Sequence, residues 1–401
     1  MLPPPSPALL GDRSLFPDLE ARAYLAHAAV SPPSLPVRRA VLAHLGALSR
    51  QGAGYFGGAL AQRDRLRQKL GALLGADASE VALVSNTSLG VTMVALSLPW
   101  RPRDRVLCFE GEFPANVTPW QRAAALFDLE FELASADAFR TRPDEAMADL
   151  EARLSRGLRV VALSAVQFQT GFKMPWAEIA RRCHAHGAEL FVDAIQACGA
   201  VPLDVTRDGI DYLVSGGHKW LMGLEGAGVL VARQAAAARF HPHLAGWLSH
   251  QEPFRFLTEG PGHLRYDRPF VESARRFEVG TLSAEGYAAL EASVDLLTAL
   301  GVEAIAAHVD SYLVALEAGL VARGFESLRS PTAAGRSSIL GVIAPEGREG
   351  AAAWQRGLAA HGVVTSCPDG VLRFAPHWPN NFAREGAYVL GAVDALLRAQ
   401  R

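Results

Sequence analysis

The sequence predicts an α/β protein, with a mostly parallel central sheet flanked by helices and a smaller α+β domain at the C-terminus. Three observations carry that prediction. Short apolar runs alternate with helical stretches from Glu80 to Arg233. After Ser283 the texture changes to a long Ala/Leu/Glu-rich stretch and then to a mixed region. Half of the 401 residues are hydrophobic, which is ample for a large core.

Taken in order, residues 1–18 hold a run of prolines with no apolar period and read as an extended N-terminal arm of the kind that packs on a partner subunit. The stretch VALVS (81–85) is a short strand, residues 88–98 are helical, and Pro99 with Trp100 stops them. DRVLCFE (104–110) and LEFELAS (129–135) read as strands, 143–157 as a helix, and RVVALSAV (159–166) as a β-branched strand. A helix over 175–187 leads to the strands ELFVDAI (189–195), DYLVSG (211–216) and AGVLVAR (227–233). Such alternation argues for a sheet covered on both faces, in which ligands collect at the carboxyl ends of the strands. The expected divisions are the arm, a large α/β domain over 19–283, a connecting helix over 284–300, and a small C-terminal domain over 301–401.

Composition narrows the function. There are 39 Lys plus Arg against 41 Asp plus Glu, a net charge of −2 with no block of like charges, so nucleic-acid binding is not expected. The four cysteines form no CxxC pair, so neither a zinc knuckle nor a dithiol motif is written, and a reducing cytoplasm is expected. The N-terminus lacks a basic region followed by an apolar one, and no stretch gives about 18 uninterrupted apolar residues. Neither secretion nor a membrane partner is expected. His184 and His186, two apart on a helix, fall on different sides, and no metal is assigned.

The densest polar signal is DAIQ (193–196) followed by SGGHKW (215–220), both at strand ends. Lysine forms Schiff bases with carbonyl compounds once its surroundings lower its pKa, and Lys219 is the candidate. A carboxylate ending a buried strand is costly unless paired, so Asp193 wants a cationic partner. That partner is either a strand-end salt bridge or the protonated ring nitrogen of pyridoxal phosphate. SNTSLG (85–90) lies between a strand and a helix, where free N–H groups attract phosphate, although Thr87 or Ser88 could equally serve as an N-cap. Phe113 in EGEFPAN is placed to stack on a pyridine ring or to pack on the core.

Together these residues resemble the class V aminotransferase and cysteine desulfurase family, the fold-type-I pyridoxal phosphate enzymes, from YLAHAAVSPPS (24–34) to LRFAPHWPNN (372–381). The resemblance extends to EFPAN (112–116), VQFQTG (166–171) and RRFEVGTLS (275–283). It implies that Lys219 bonds the cofactor, Asp193 partners its ring nitrogen and Gln196 donates to its phenolate oxygen. It implies also that Thr87, Ser88, Ser215 and His218 hold the phosphate, that Phe113 stacks on the ring, and that Gln167 lies near the phenolate side. Gly280 and Thr281 would approach the phosphate of a neighbouring subunit, which implies a homodimer with shared active sites. Arg373 would grip the carboxylate of a small amino substrate, a task that suits a planar guanidinium.

The expected activity is that of an aminotransferase. C–S or β-eliminating lyase, desulfurase-like and epimerase chemistry are alternatives on the same constellation, and a catalytically silent scaffold is the non-enzyme alternative. A desulfurase needs a thiol on a mobile loop; Cys367 lies only six residues before Arg373, too close for that loop, and Cys108 and Cys198 sit in apolar segments.

Overall fold

The computed structural model describes residues 7–241 and 243–399; residues 1–6 of the proline-rich arm lie outside the described residues. Seven strands form the central sheet in the order Val81–Val84, Gly228–Ala232, Tyr212–Gly216, Glu189–Asp193, Leu158–Ser164, Arg105–Glu110 and Glu130–Ser135. Only Gly228–Ala232 runs against its neighbours. The others run one way, so the loops after Val84, Glu110, Ser164, Asp193 and Gly216 all leave at one edge.

Side chains alternate across each strand and sort into two cores. Phe191 and Val214 join the helix Thr87–Ser97 and Trp120 on one face. Leu190, Val192 and Leu213 pack on the other with Leu66, Ile179 and Leu290. Central strands buried on both faces explain the near-continuous apolar runs in the sequence.

Helix Thr87–Ser97 lies directly against the strand that leads to Lys219. A Cβ on Gly90 would stand 2.5 Å from Val214 Cγ1, so glycine sets how closely the two approach.

Among the helices absent from the sequence reading are Leu35–Gln51 and Phe56–Leu74. The second turns Gln62, Arg63 and Arg67 inward, where Gln62 meets Glu291 and Arg67 meets Glu278. A polar inner face erases the apolar period that would have revealed it.

The C-terminal part has a three-stranded sheet, Leu372–Phe374, Leu340–Ile343 and Glu326–Ser327, packed with helices Val302–Val321, Ala351–Ala360 and Phe382–Ala399. Helix Val302–Val321 is long and apolar enough to cross a membrane by length and composition. Here its Ile305, Val309, Leu313 and Leu316 enter the core, while its Glu317 pairs with Arg329 at 3.0 Å.

The start of the chain is bound to this C-terminal part. Ala23–Tyr24 pairs with Val363–Val364, Ala26 bridges Ala375, and the Gly11 N–H donates to the Trp378 carbonyl at 2.6 Å. This anchoring carries the next residues, Ala28 and Ala29, onto the sheet edge where the chemistry lies.

Gly90→Ala should lower stability by about 1–3 kcal/mol, the usual cost of forcing extra volume into a packed contact, measured by urea unfolding. An unchanged midpoint would mean that the helix shifts freely on the sheet.

Candidate active site

At the carboxyl edge of the sheet lies a cavity of about 400 Å³. Its wall includes Thr87, Ser88, Phe113, Asp193, Gln196, His218, Lys219 and Arg373, so eight of the residues singled out in the sequence meet in one place. A larger cavity of about 650 Å³ lies elsewhere, around the Arg67–Glu278 pair, and its wall contains none of them.

Asp193 ends its strand only 2 % exposed and accepts a hydrogen bond from the Ile195 N–H at 3.0 Å. Burial pushes its carboxyl up to about 6, against the pull of the backbone donor and of Lys219. No salt bridge to it forms among the described residues, so the strand-end ion pair is not what accommodates this charge. Lys219 is half-buried, and its amine is pushed down to about 8 by desolvation, with Asp193 opposing and Arg373 reinforcing the shift. Its Nζ stands 5.6 Å from the centre of the Phe113 ring, within cation–π range. Phe113 is itself braced edge-on by Phe168 at 5.4 Å.

The helix after the first sheet strand is capped by Asn86, whose side chain accepts from the Leu89 N–H at 2.8 Å. That corrects the N-cap reading of Thr87 or Ser88, since the cap lies one residue earlier and leaves both hydroxyls uncommitted to capping. Thr87 Oγ1 is buried without a hydrogen-bond partner. Across the strand, a Cβ on Gly216 would meet His218 Cε1 at 3.1 Å and Thr87 Oγ1 at 3.2 Å, so the glycine keeps a hollow open between them. A helix N-terminus, an orphan hydroxyl and an imidazole around one hollow suit a phosphate. A buried carboxylate without a cation suits a protonated pyridine nitrogen. The residues present therefore fit pyridoxal phosphate.

Four sequence candidates stand away from the wall. Ser215 points to the opposite side of its strand, where its hydroxyl donates to the Gly216 carbonyl at 3.2 Å; it is Gly216 that borders the hollow. Gln167 donates to the Gly111 carbonyl at 2.7 Å and so supports the turn that presents Phe113 rather than lining the cavity. Gly280 is half-buried and Thr281 exposed, and neither belongs to the wall of its own subunit's cavity.

Gln196 is held at both ends, its Nε2 donating to the Ala28 carbonyl at 3.1 Å and its Oε1 accepting from Trp220 Nε1 at 2.8 Å. Arg373 is 4 % exposed, and burial pushes its guanidinium down to about 10. Its Nε donates to Ser366 Oγ at 2.9 Å and its Nη1 to the Phe168 carbonyl, with no carboxylate partner among the described residues. Cys367 turns its thiol to Gln355 Oε1 at 2.8 Å and does not line the cavity, although its neighbour Pro368 does.

The sequence reading did not single out Ala28, Ala29, Phe168 or Pro368, which complete the wall together with Asn86, Ala115 and Ile195. It also missed Glu112, fully buried beneath the site. Desolvation pushes Glu112 up to about 7, while the Ser164 N–H donates to it at 2.7 Å. Glu112 follows the strand end by two residues, beside Glu110, and nothing in the sequence set the buried glutamate apart from the other.

Comparison with known proteins agrees with this geometry. Residues 29–353 match the family described as aminotransferase class V. An uncharacterized aminotransferase of Bacillus subtilis, YcbU, is 28 % identical over 92 % of this chain and 93 % of its own length. The cysteine desulfurase of Dickeya dadantii is 32 % identical over 61 % of this chain and 57 % of its own. Among solved structures, the cystine C–S lyase C-DES in complex with cysteine persulfide superimposes with a TM-score of 0.84 at 24 % identity, covering 94 % of this chain and 99 % of that one. An apo cysteine desulfurase from Thermococcus onnurineus does so with a TM-score of 0.82 at 20 % identity, covering 97 % and 100 %. With this cavity at the carboxyl edge of a mostly parallel sheet, the family match over most of the chain means that this protein belongs to the class V aminotransferase family of pyridoxal-phosphate-dependent enzymes.

Proposed function

We propose that the protein is an aminotransferase acting on a small amino acid, with Lys219 as the cofactor lysine and catalytic base. The observation that carries this reading is a wall holding Lys219, Asp193 and Arg373 but no thiol, because Cys367 is bonded away to Gln355. Sulfur capture by a protein cysteine has no group to perform it there. The relative matched over nearly the whole chain bears the name of an aminotransferase, which supports the same choice.

When bound, pyridoxal phosphate supplies an electron sink for the bond broken at the substrate's α-carbon. The chain's own residues do the rest. Asp193 holds the proton of the ring nitrogen, which it does best as a carboxylate, above the value of about 6 that burial gives it. Thr87, Ser88 and His218 would bind the phosphate, Phe113 would stack on the ring and Gln196 would meet the phenolate oxygen, all from the cavity wall. Arg373, already fixed by Ser366 and Phe168, orients the substrate carboxylate so that the α C–H bond aligns for removal. Lys219 Nζ takes that proton, a role matched to an amine whose value lies near 8. The remaining wall around Arg373, Phe113, Phe168, Ala115 and Pro368, is apolar.

Gly280 and Thr281 would serve the phosphate of a second copy, giving a homodimer with shared sites. Their separation from the cavity of their own subunit supports this, as do the exposed Leu42, Leu45, Leu48, Phe56 and Trp247.

Titration of the cofactor-loaded protein with single amino acids tests the reaction. A 2-oxo acid released while the amino group stays on the enzyme is expected; ammonia, pyruvate or sulfide released instead would replace the reading with a lyase. Lys219→Ala should abolish turnover and leave no cofactor linked after borohydride reduction, and residual turnover would remove Lys219 from its role.

Uptake of pyridoxal phosphate by cofactor-free protein should accelerate with rising pH as Lys219 loses its proton, with a midpoint of about 8. A midpoint near the ordinary lysine value, about 10.4, would mean that Nζ is solvated.

Arg373→Ala should raise KM for carboxylate substrates roughly 10- to 100-fold, the loss of a charged hydrogen bond of about 1.5–3 kcal/mol, and leave cofactor binding intact. An equal effect on amines without a carboxylate would place Arg373 outside the substrate site.

A further inference from the structure

The backbone around Lys219 is held from outside its own loop by the two ends of the chain. Three successive carbonyls are involved. The Ser31 N–H donates to the His218 carbonyl at 2.8 Å, Ser31 Oγ donates to the Lys219 carbonyl at 2.6 Å, which also accepts from the Met222 N–H at 3.0 Å, and His377 Nε2 meets the Trp220 carbonyl at 2.9 Å. Behind Ser31, His27 Nδ1 lies 2.8 Å from Ser31 Oγ. The two imidazoles face each other edge to face at 5.4 Å, and both are buried, His27 1 % and His377 0 % exposed.

Donor and acceptor counting places the protons on Ser31, His27 Nδ1 and His377, with the Asn380 side chain beside the His27 ring. The Trp378 N–H donates to His377 Nδ1 at 2.7 Å, so that nitrogen carries no hydrogen and Nε2–H is the one that meets the Trp220 carbonyl. A carbonyl oxygen only accepts, so the single Ser31 hydroxyl hydrogen goes to Lys219. Ser31 Oγ must then accept from His27, which puts the His27 hydrogen on Nδ1. Burial keeps both rings uncharged, with His27 pushed well below the ordinary histidine value and His377 down to about 4. The clamp thus adds no positive charge beside Lys219.

We infer that His27, Ser31 and His377 are positioning residues for Lys219. The directed chain from His27 Nδ1–H through Ser31 Oγ–H to the Lys219 carbonyl, matched by His377 on the next carbonyl, fixes the lysine's main chain and with it the point from which Nζ reaches the cofactor. None of the three lines the cavity, so they act through the backbone of Lys219 rather than on cofactor or substrate. A base held in one place gains rate by restricting its approach, and a free turn forfeits that gain.

The inference rests on Lys219 as the cofactor lysine, and the test separates the two. Cofactor-free wild type, Ser31→Ala, His27→Leu, His27→Asn and His377→Gln are mixed with pyridoxal phosphate. The rate of uptake, the borohydride-trapped yield and the pH midpoint of the visible band are measured, with the thermal midpoint of each cofactor-free protein as a fold control. Asparagine offers its amide N–H near the place of Nδ1, and glutamine offers its own near Nε2. Ser31→Ala and His27→Leu should slow uptake roughly 2- to 10-fold, the loss of one neutral hydrogen bond. They should also move the band midpoint by about half a unit or more. His27→Asn and His377→Gln should stay close to wild type in both. Equal behaviour of His27→Leu and His27→Asn, or wild-type uptake and midpoint in Ser31→Ala, overturns the clamp. If Ser31→Ala does not fold, the two His27 variants decide alone. Failure of wild type itself to be trapped at Lys219 would sink the Lys219 assignment instead.

Discussion

A carboxylate is expensive to keep inside a protein, and Asp193 is kept there without a cation within salt-bridge distance among the described residues. Most of what surrounds it follows from that constraint. Its strand lies in the middle of the sheet, so the loops on either side deliver Lys219 and the Phe113 turn to the same edge. The backbone N–H of Ile195 supplies the one donor Asp193 has, and the remaining demand is for a positive group in the cavity. A protonated ring nitrogen meets that demand, whereas an apolar or anionic ligand would leave the charge unbalanced.

The same burial that makes Asp193 costly shapes Lys219. Desolvation pushes the carboxyl up and the amine down, so the two values draw towards neutrality from opposite sides. Such convergence lets one group hold a proton and the other give it up at ordinary pH. Glu112, buried one strand further along, is raised as well, partly by the charge on Asp193. Its three hydrogen bonds, from the Ser164 N–H, the Ser164 hydroxyl and Asn116, tie the loop bearing Phe113 to Ser164, which is the register partner of Asp193.

Much of this was legible before any coordinates. The strands of the sheet stood out because strands buried on both faces read as unbroken apolar runs, Lys219 and Asp193 stood out as a set of polar residues at strand ends, and Arg373 was singled out only through the family resemblance. What failed to read did so for physical reasons. Ser215 and Gly216 are neighbours on one strand, and which of them faces the hollow depends on the phase of the pleat, to which a motif is blind. Helix Phe56–Leu74 hid because Gln62, Arg63 and Arg67 share its inner face with Leu66, Leu70 and Leu74 and break up the apolar period. Ala28 and Ala29 hid because alanine offers no chemistry of its own and reached the cavity only through the pairing of Ala23–Tyr24 with a strand more than 300 positions later.

That long-range pairing explains why both ends of the chain bear on the lysine. A turn that follows a parallel strand leaves its carbonyls without sheet partners, and at a buried edge no water is on hand to satisfy them. Ser31 and His377 answer that need for His218, Lys219 and Trp220, while Gln196 takes the Trp220 side chain. The first segment is fixed in place by the C-terminal part, through Val363–Val364 and Ala375, and the second belongs to that part. Arg373 sits on the neighbouring strand Leu372–Phe374. Arg373 and the clamp on the lysine are thus built from one packed unit that meets the sheet at the edge where Lys219 lies.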